Sequence, residues 1–180
     1  MHLRRAIPLL IALMANGMFS LLLMEINHSL APWSLHLLLP AVFVLYPALN
    51  LSYRAGLTAC LLTGLLQDAA LPLSPHGFFT LALPTLHLII HRLRHKLHRE
   101  GGLDSVLLAQ LLNLATLLVL TAMLSPAQPG GLPAHLPALL FQILLAQVLL
   151  FLVGSYFLDI QRRLGKLFLN NPREEEAPAT

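Results

Sequence analysis

The sequence predicts an all-α integral membrane protein with six transmembrane helices and both termini in the cytoplasm. Three observations predict it: an apolar composition, six long apolar stretches, and basic residues confined to one side. Of the 180 residues, 57% are hydrophobic and 11% are charged, whereas soluble domains average roughly 45–50% and about 25%. A soluble domain of this size could not bury so much apolar surface. We therefore expect the chain to reside in a bilayer.

The six predicted spans are the predominantly apolar stretches of the chain. A transmembrane helix needs about 20 such residues, and a charge at the bilayer centre is costly. The stretches are residues 6–24, 35–51, 55–71, 77–93, 103–124 and 136–158. The polar patch at 27–34 is expected to be a connection. Residues 1–171 are therefore predicted to form one six-helix domain, and the Glu- and Pro-containing residues 172–180 a disordered acidic cytoplasmic tail.

The positions of the 11 Lys and Arg residues predict the orientation. With six spans, all of them fall on the same side of the membrane. The opposite connections, 25–34, 72–76 and 125–135, contain neither Lys nor Arg, so the positive-inside rule places both termini in the cytoplasm. A cleaved signal peptide is the alternative interpretation of residues 6–24. That run is longer than the usual apolar region of about 7–15 residues.

The third span carries small residues at a helical spacing. Gly56, Cys60, Gly64 and Asp68 recur every four residues and so share one helical face. Small residues let a second helix approach closely in lipid. We expect this stripe to pack helices within the chain or, as the alternative, to form a face for a partner protein.

Asp68 is an acidic residue near the end of a predicted span, where a charge is expensive unless it faces protein or water. One interpretation is structural: the carboxylate accepts hydrogen bonds from amides at the start of the fourth span, around residues 76–78. The other is a functional acid that titrates or binds an ion. Uncharged polar residues in the last two spans are expected to hydrogen-bond between helices: Gln110, Asn113, Thr116, Gln142 and Gln147.

A basic cluster follows the fourth span, where four cations alternate with a stripe of histidines. The cations are Arg92, Arg94, Lys96 and Arg99; the histidines are His87, His91, His95 and His98. Such a cluster favours anionic lipid headgroups and opposes a metal ion, the alternative that the histidine spacing suggests. We predict no metal, cofactor or nucleic-acid site. The serine-hydrolase, phosphate-loop and zinc-protease motifs are absent from the sequence, which predicts a protein that is not an enzyme.

Residues 55–94 resemble the rod shape-determining protein MreD family of bacteria. The resemblance lies in Gly64 and Asp68 at a helix end, a short outer turn, Gly77, and a hydrophobic helix that ends in Arg92 and Arg94. It implies a non-enzymatic inner-membrane component of the cell-elongation and peptidoglycan-synthesis machinery. The partners it implies are MreC and, through MreC, MreB filaments, RodA and a penicillin-binding transpeptidase.

A small-molecule membrane transporter is the competing class. The substrate-binding components of energy-coupling-factor vitamin uptake systems are similarly small proteins with six spans. A buried polar pocket would favour this class. The predicted spans contain few polar side chains, and their outer connections are short.

Overall fold

The computed structural model describes residues 2–33, 35–71, 77–100, 102–124 and 131–169, with side chains for 6–33, 35–71, 77–93, 107–124 and 136–167. These residues form six α-helices, one short 3-10 turn and no strand, so the all-α prediction is confirmed for them. The helices are α1 His2–Leu30, α2 Pro40–Asn50, α3 Tyr53–Ala70, α4 Phe78–Glu100, α5 Gly102–Leu124 and α6 Gly131–Leu169; the turn is Ala31–Trp33. Residues 172–180, the predicted acidic tail, lie outside the described residues.

Within the part of the chain that the structure describes, three helices are long and apolar enough to cross a membrane. The qualifying segments are Ala6–Trp33, Leu107–Leu124 and Leu136–Leu167, and two shorter apolar helices are Pro40–Asn50 and Phe78–Leu93. Large apolar side chains of α1, α5 and α6 are exposed, among them Met14, Met18, Leu111, Leu144 and Leu152. Such faces suit lipid tails, whereas the number of crossings and the side of the termini stay predictions.

Helix α2 lies at the centre of the bundle. It contacts each of the other five helices, and its residues from Pro40 to Leu49 are all buried. A helix that is apolar all round belongs in the interior of a protein or in a membrane. The other helices therefore surround α2.

The predicted second span is not a helix along its whole length. Residues 35–39 are irregular, and the helix begins only at Pro40. Proline has no amide hydrogen and disfavours helical geometry in the residue before it; Leu39 has φ −128° and ψ 56°. The remaining 11 residues make a helix about 16 Å long, against a hydrocarbon core of about 30 Å. Helix α2 alone cannot cross that thickness.

Other helix ends also differ from the predicted spans. Helix α1 continues to Leu30, so Asn27 lies in a helix and not in a connection. Helix α6 has 39 residues and extends beyond both ends of the predicted span 136–158. The reason is physical: apolar composition marks the part of a helix that suits lipid, whereas the helix itself ends where its backbone hydrogen bonds end.

Candidate functional site

Asp68 holds the α3–α4 hairpin together. Its Oδ1 accepts a hydrogen bond from the Phe79 amide at 2.9 Å, and its Oδ2 accepts from the Thr80 amide at 2.8 Å and the Thr80 hydroxyl at 2.5 Å. Both amides belong to the first turn of α4, where helical N–H groups lack partners within the helix. We call this arrangement the hairpin clasp. The expected amides were those around 76–78; the acceptor role is found, two residues further along, and His76 lies outside the described residues.

Gly77 explains why the cap must come from another helix. It stands immediately before α4 and has a φ of +85°, a left-handed conformation that glycine adopts without steric cost. Because glycine has no side chain, it cannot accept from the first amides of the helix as serine or aspartate would. Asp68 supplies that acceptor from the last turn of α3.

The small residues of α3 lie where other helices pass closely. A Cβ added at Gly64 would stand 2.5 Å from the Phe79 carbonyl oxygen, and one at Gly56 would stand 2.7 Å from the Pro47 carbonyl oxygen and collide with the His87 ring. The Cys60 side chain is fully buried. The stripe therefore packs α3 against α2 and α4. It is not an exposed face for a partner protein.

Helix α2 has backbone groups that its own sequence leaves without helical partners. Pro47 has no amide hydrogen, so the Phe43 carbonyl lacks its donor four residues on. Residues 35–39, which precede α2, lack the regular backbone hydrogen bonds of a helix. Within a bilayer such groups must find partners inside the protein, because no water is there to replace them. Side chains of the surrounding helices provide these partners.

Asn16 of α1 pairs with the Phe43 carbonyl. Its Nδ2 donates to Phe43 O at 3.0 Å and to Thr63 Oγ1 at 3.1 Å, while its Oδ1 accepts from Gln161 Nε2 at 3.3 Å. The Asn16 side chain is 1% exposed. One carboxamide thus replaces the donor that Pro47 lacks and joins α1 to α2, α3 and α6.

Two further carboxamides hold the beginning of α2. Asn27 accepts from the Leu37 amide at 2.6 Å and donates to the Leu37 carbonyl at 2.9 Å, so it satisfies both backbone groups of one irregular residue. Asn113 of α5 accepts from the Ala41 amide at 3.3 Å, in the first turn of α2. Asparagine suits these roles because its side chain carries an acceptor and two donors.

Ser20 and Gln67 extend the network towards α3. Gln67 Nε2 donates to Ser20 Oγ at 2.6 Å, and the Ser20 hydroxyl donates to the Asn16 carbonyl at 2.8 Å. Together with Asn27 they line a small crevice whose other walls are mostly apolar, between α1, α3 and residues 37–40. Asn16, Ser20 and Asn27 are not among the site residues expected from the sequence. Their spacing of four and seven residues, which places them on one face of α1, was the available signal.

The polar residues of α5 and α6 only partly behave as expected. Gln110 donates to the Gln147 carbonyl at 3.5 Å and Gln147 donates to the Gln110 carbonyl at 3.3 Å, so these two do bond between helices, as does Asn113. Thr116 donates to the carbonyl of Leu112 in its own helix. The interhelical prediction is wrong for Thr116.

Contacts bring several basic residues to one end of the bundle. Arg162 of α6 donates to Asn50 Oδ1 at 3.3 Å, the His91 Nδ1 lies 3.3 Å from the Ala48 carbonyl, and the Tyr53 and His91 rings are 5.5 Å apart. We call this region the basic end. Its exposed cations are Arg54, Arg92, Arg162, Arg163 and Lys166. The side chains of Arg94, Lys96, Arg99, His95 and His98 lie outside those described.

Among the described side chains, no group of three or more histidine, cysteine or acidic residues is placed to hold a metal ion. Most buried polar side chains described above are instead bonded to backbone atoms or to one another. Comparison of the chain with family profiles, with curated proteins and with solved structures finds no significant match. The hydrogen bonds described above show that the site is a polar network, which holds a short central helix inside an apolar bundle.

Proposed function

We propose that the chain is a non-enzymatic scaffold subunit of the bacterial inner membrane that acts in cell elongation and peptidoglycan synthesis. In this proposal it crosses the membrane six times with both termini in the cytoplasm, and it binds partner membrane proteins through helix faces. The observation that carries the proposal is the use of polar side chains within the bundle: the partly buried Asp68 and the buried Asn16 and Asn27 all bond to the chain's own backbone.

A transport path would use such groups differently. Carriers and channels line their paths with polar or ionisable residues that bind the transported species. Here the Asp68 carboxylate is occupied by three donors of α4, and the Asn27 carboxamide is occupied by Leu37. The exposed apolar faces of α1, α5 and α6 then remain as surfaces where other membrane helices can pack.

The role in cell elongation rests on the resemblance of residues 55–94 to the MreD family. The residues that carry it, Gly64, Asp68 and Gly77, act together: Gly64 admits the first turn of α4, Asp68 caps that turn, and Gly77 forms the turn immediately before it. The expected partners are an MreC-like membrane protein and, indirectly, MreB-like filaments, RodA-like proteins and penicillin-binding proteins.

The six-span topology has support from the basic end. Residues of α2, α3, α4 and α6 meet there, and Arg54, Arg92 and Arg162 are among them. The end where Asp68 and Asn27 lie has no Lys or Arg among its described residues. A bundle with basic residues at one end is typical of a multi-pass protein that follows the positive-inside rule.

A membrane transporter is the second candidate, and the irregular stretch of residues 35–39 before α2 favours it. Secondary transporters often bind substrates where a helix is broken inside the membrane. The crevice beside residues 37–40 contains Ser20, Asn27 and Gln67. Because the hydrogen bonds of these side chains described above run within the chain, we place the scaffold role first.

Affinity purification of the full chain from its native membrane in mild detergent tests the proposal. The scaffold role requires that cell-wall elongation proteins co-purify and that depletion of the chain makes rod-shaped cells round. The Asp68→Leu variant, which loses the hairpin clasp, should recover less of these partners than the wild type. Co-purification of an ATPase transport module, or loss of uptake of a small molecule without a change of cell shape, would overturn it.

A further inference from the structure

We propose that the basic end is a docking surface for the phosphate groups of anionic phospholipids in the adjacent leaflet. The inference rests on the proposed insertion of the bundle in a membrane and is independent of a role in cell elongation. It concerns three arginines, Arg54, Arg92 and Arg162, which belong to α3, α4 and α6.

The fold gathers these arginines from distant parts of the chain. Arg162 donates to Asn50, at the end of α2 and four residues before Arg54. Arg92 follows His91, whose ring contacts Tyr53 and approaches the Ala48 carbonyl. The three arginines therefore lie near the junction between α2 and α3. The six-span prediction places all three on the same side of the membrane, but it does not predict that they meet near this junction.

The charges of the three arginines are exposed and uncompensated. Among the described side chains, no carboxylate stands within ion-pair distance of any of them. The ion pair that is present at this end joins Arg163 to Asp159 at 2.8 Å. Arginine is suited to phosphate because its planar guanidinium can donate two parallel hydrogen bonds to two oxygens.

The opposite end of the bundle offers no such surface. Its described charged side chains are the carboxylates of Glu25 and Asp68, and Asp68 is already bonded to α4. Anionic lipids attract basic residues next to a transmembrane segment, and each such residue contributes about a fivefold gain in binding. Charge complementarity thus selects anionic lipid at one leaflet only.

Titration of the purified full chain in mild detergent with phosphatidylglycerol, and separately with phosphatidylcholine, tests the proposal, with bound lipid counted by native mass spectrometry. Phosphatidylglycerol should bind more tightly. Arg162→Gln should weaken its binding about fivefold, and Arg54→Gln, Arg92→Gln and Arg162→Gln together about a hundredfold. Phosphatidylcholine carries the same phosphate but is neutral overall, so its binding should be weaker and should respond less to these substitutions and to added salt.

Arg163→Gln is the matched control, because it removes an equal charge from the next residue of the same helix. The Asp159 carboxylate already accepts from the Arg163 guanidinium, which is therefore less free to donate to a phosphate, so the loss of affinity should be less than about twofold. Equal affinities for the two lipids, or equal effects of Arg162→Gln and Arg163→Gln, would overturn the proposal. If the triple variant does not fold, the two single variants still decide. Since the purified chain is tested without partners, failure of the scaffold proposal would leave this result standing.

Discussion

Asn16 shows at the scale of one residue how a polar side chain is accommodated inside an apolar bundle. Its carboxamide has partners on three other helices and is almost fully buried. A buried polar group without a partner destabilises a protein, whereas a paired one adds a modest net stabilisation. The partner of Asn16 on α2 is a carbonyl that proline leaves without a donor, so the two residues Asn16 and Pro47 depend on each other.

We expect Asn16→Leu to lower the free energy of unfolding by about 2 kcal/mol, because the Phe43 carbonyl and the Gln161 side chain both lose a partner. Unfolding by titration with a denaturing detergent measures the change. Asn50→Leu is the control, since it makes the same chemical change on an exposed side chain, where water can replace the lost hydrogen bonds. Equal destabilisation by the two substitutions would contradict the role given to Asn16.

Asp68 separates the two candidate functions. Asp68→Asn keeps one acceptor oxygen, so the hairpin should fold with a moderate loss of stability. Asp68→Leu removes both acceptors and leaves the Phe79 and Thr80 amides unpaired, which should cost more. Membrane abundance, partner co-purification and rescue of rod shape are the measurements.

The two Asp68 variants distinguish a structural role of the carboxylate from a functional role of its charge. Normal abundance and partner binding in Asp68→Leu would contradict the proposed role of the hairpin clasp in stabilising the hairpin. A well-folded Asp68→Asn protein that binds partners but has lost activity would show that the charge itself is needed, which favours a transporter.

At the scale of the element, α2 is a helix whose stability depends on its neighbours. Pro47→Ala should restore an amide that can donate to the Phe43 carbonyl within the helix. Asn16→Leu should then cost less in the Pro47→Ala background than in the wild type, with a coupling of about 1 kcal/mol. The double-mutant cycle compares four proteins by the same unfolding titration. Additive effects would mean that Asn16 does not replace the missing amide.

The packing of helix α3 against its neighbours depends on its small residues as much as on its leucines. Gly64→Leu should reduce the amount of folded protein and of co-purifying partner, because any Cβ at this position meets the backbone of α4. Leu65→Ala trims the adjacent side chain, which is 49% exposed, and should have little effect. Similar yields from the two variants would refute close packing at Gly64.

At the scale of the whole molecule, the proposed topology makes a direct prediction for reporter fusions. Fusions after alternate connections should report opposite sides, because each span reverses the direction of the chain. The outside positions are Leu30, Leu73 and Ala127; the inside positions are Tyr53, Lys96 and Lys166. The second crossing is the critical one, because α2 alone is too short to span the membrane and the residues before Pro40 would have to complete it. A reversal after Tyr53 would show that residues 35–50 do not cross.

The sequence alone determined the helical class and the apolar segments. A bilayer imposes local rules: a spanning helix must be apolar over its own length and must satisfy its backbone within itself. These rules act on residues that are close together in sequence, so their effect can be recognised without knowing the tertiary structure. The acceptor role of Asp68 could be predicted from the sequence for the same reason. Its partners Phe79 and Thr80 lie only 11 and 12 residues further along the chain, in the same hairpin.

Only the tertiary structure decided which helix is central and how its backbone is satisfied. The partners of α2 come from remote positions: Asn16 lies 27 residues from Phe43, and Asn113 lies 72 residues from Ala41. Composition cannot distinguish a buried apolar helix from a lipid-facing one, because side chains that suit lipid also suit a protein interior. Likewise, a single asparagine does not indicate which distant carbonyl it will meet. That is settled only when the helices pack, because the position of each unpaired backbone group in space then selects the side chain that can reach it.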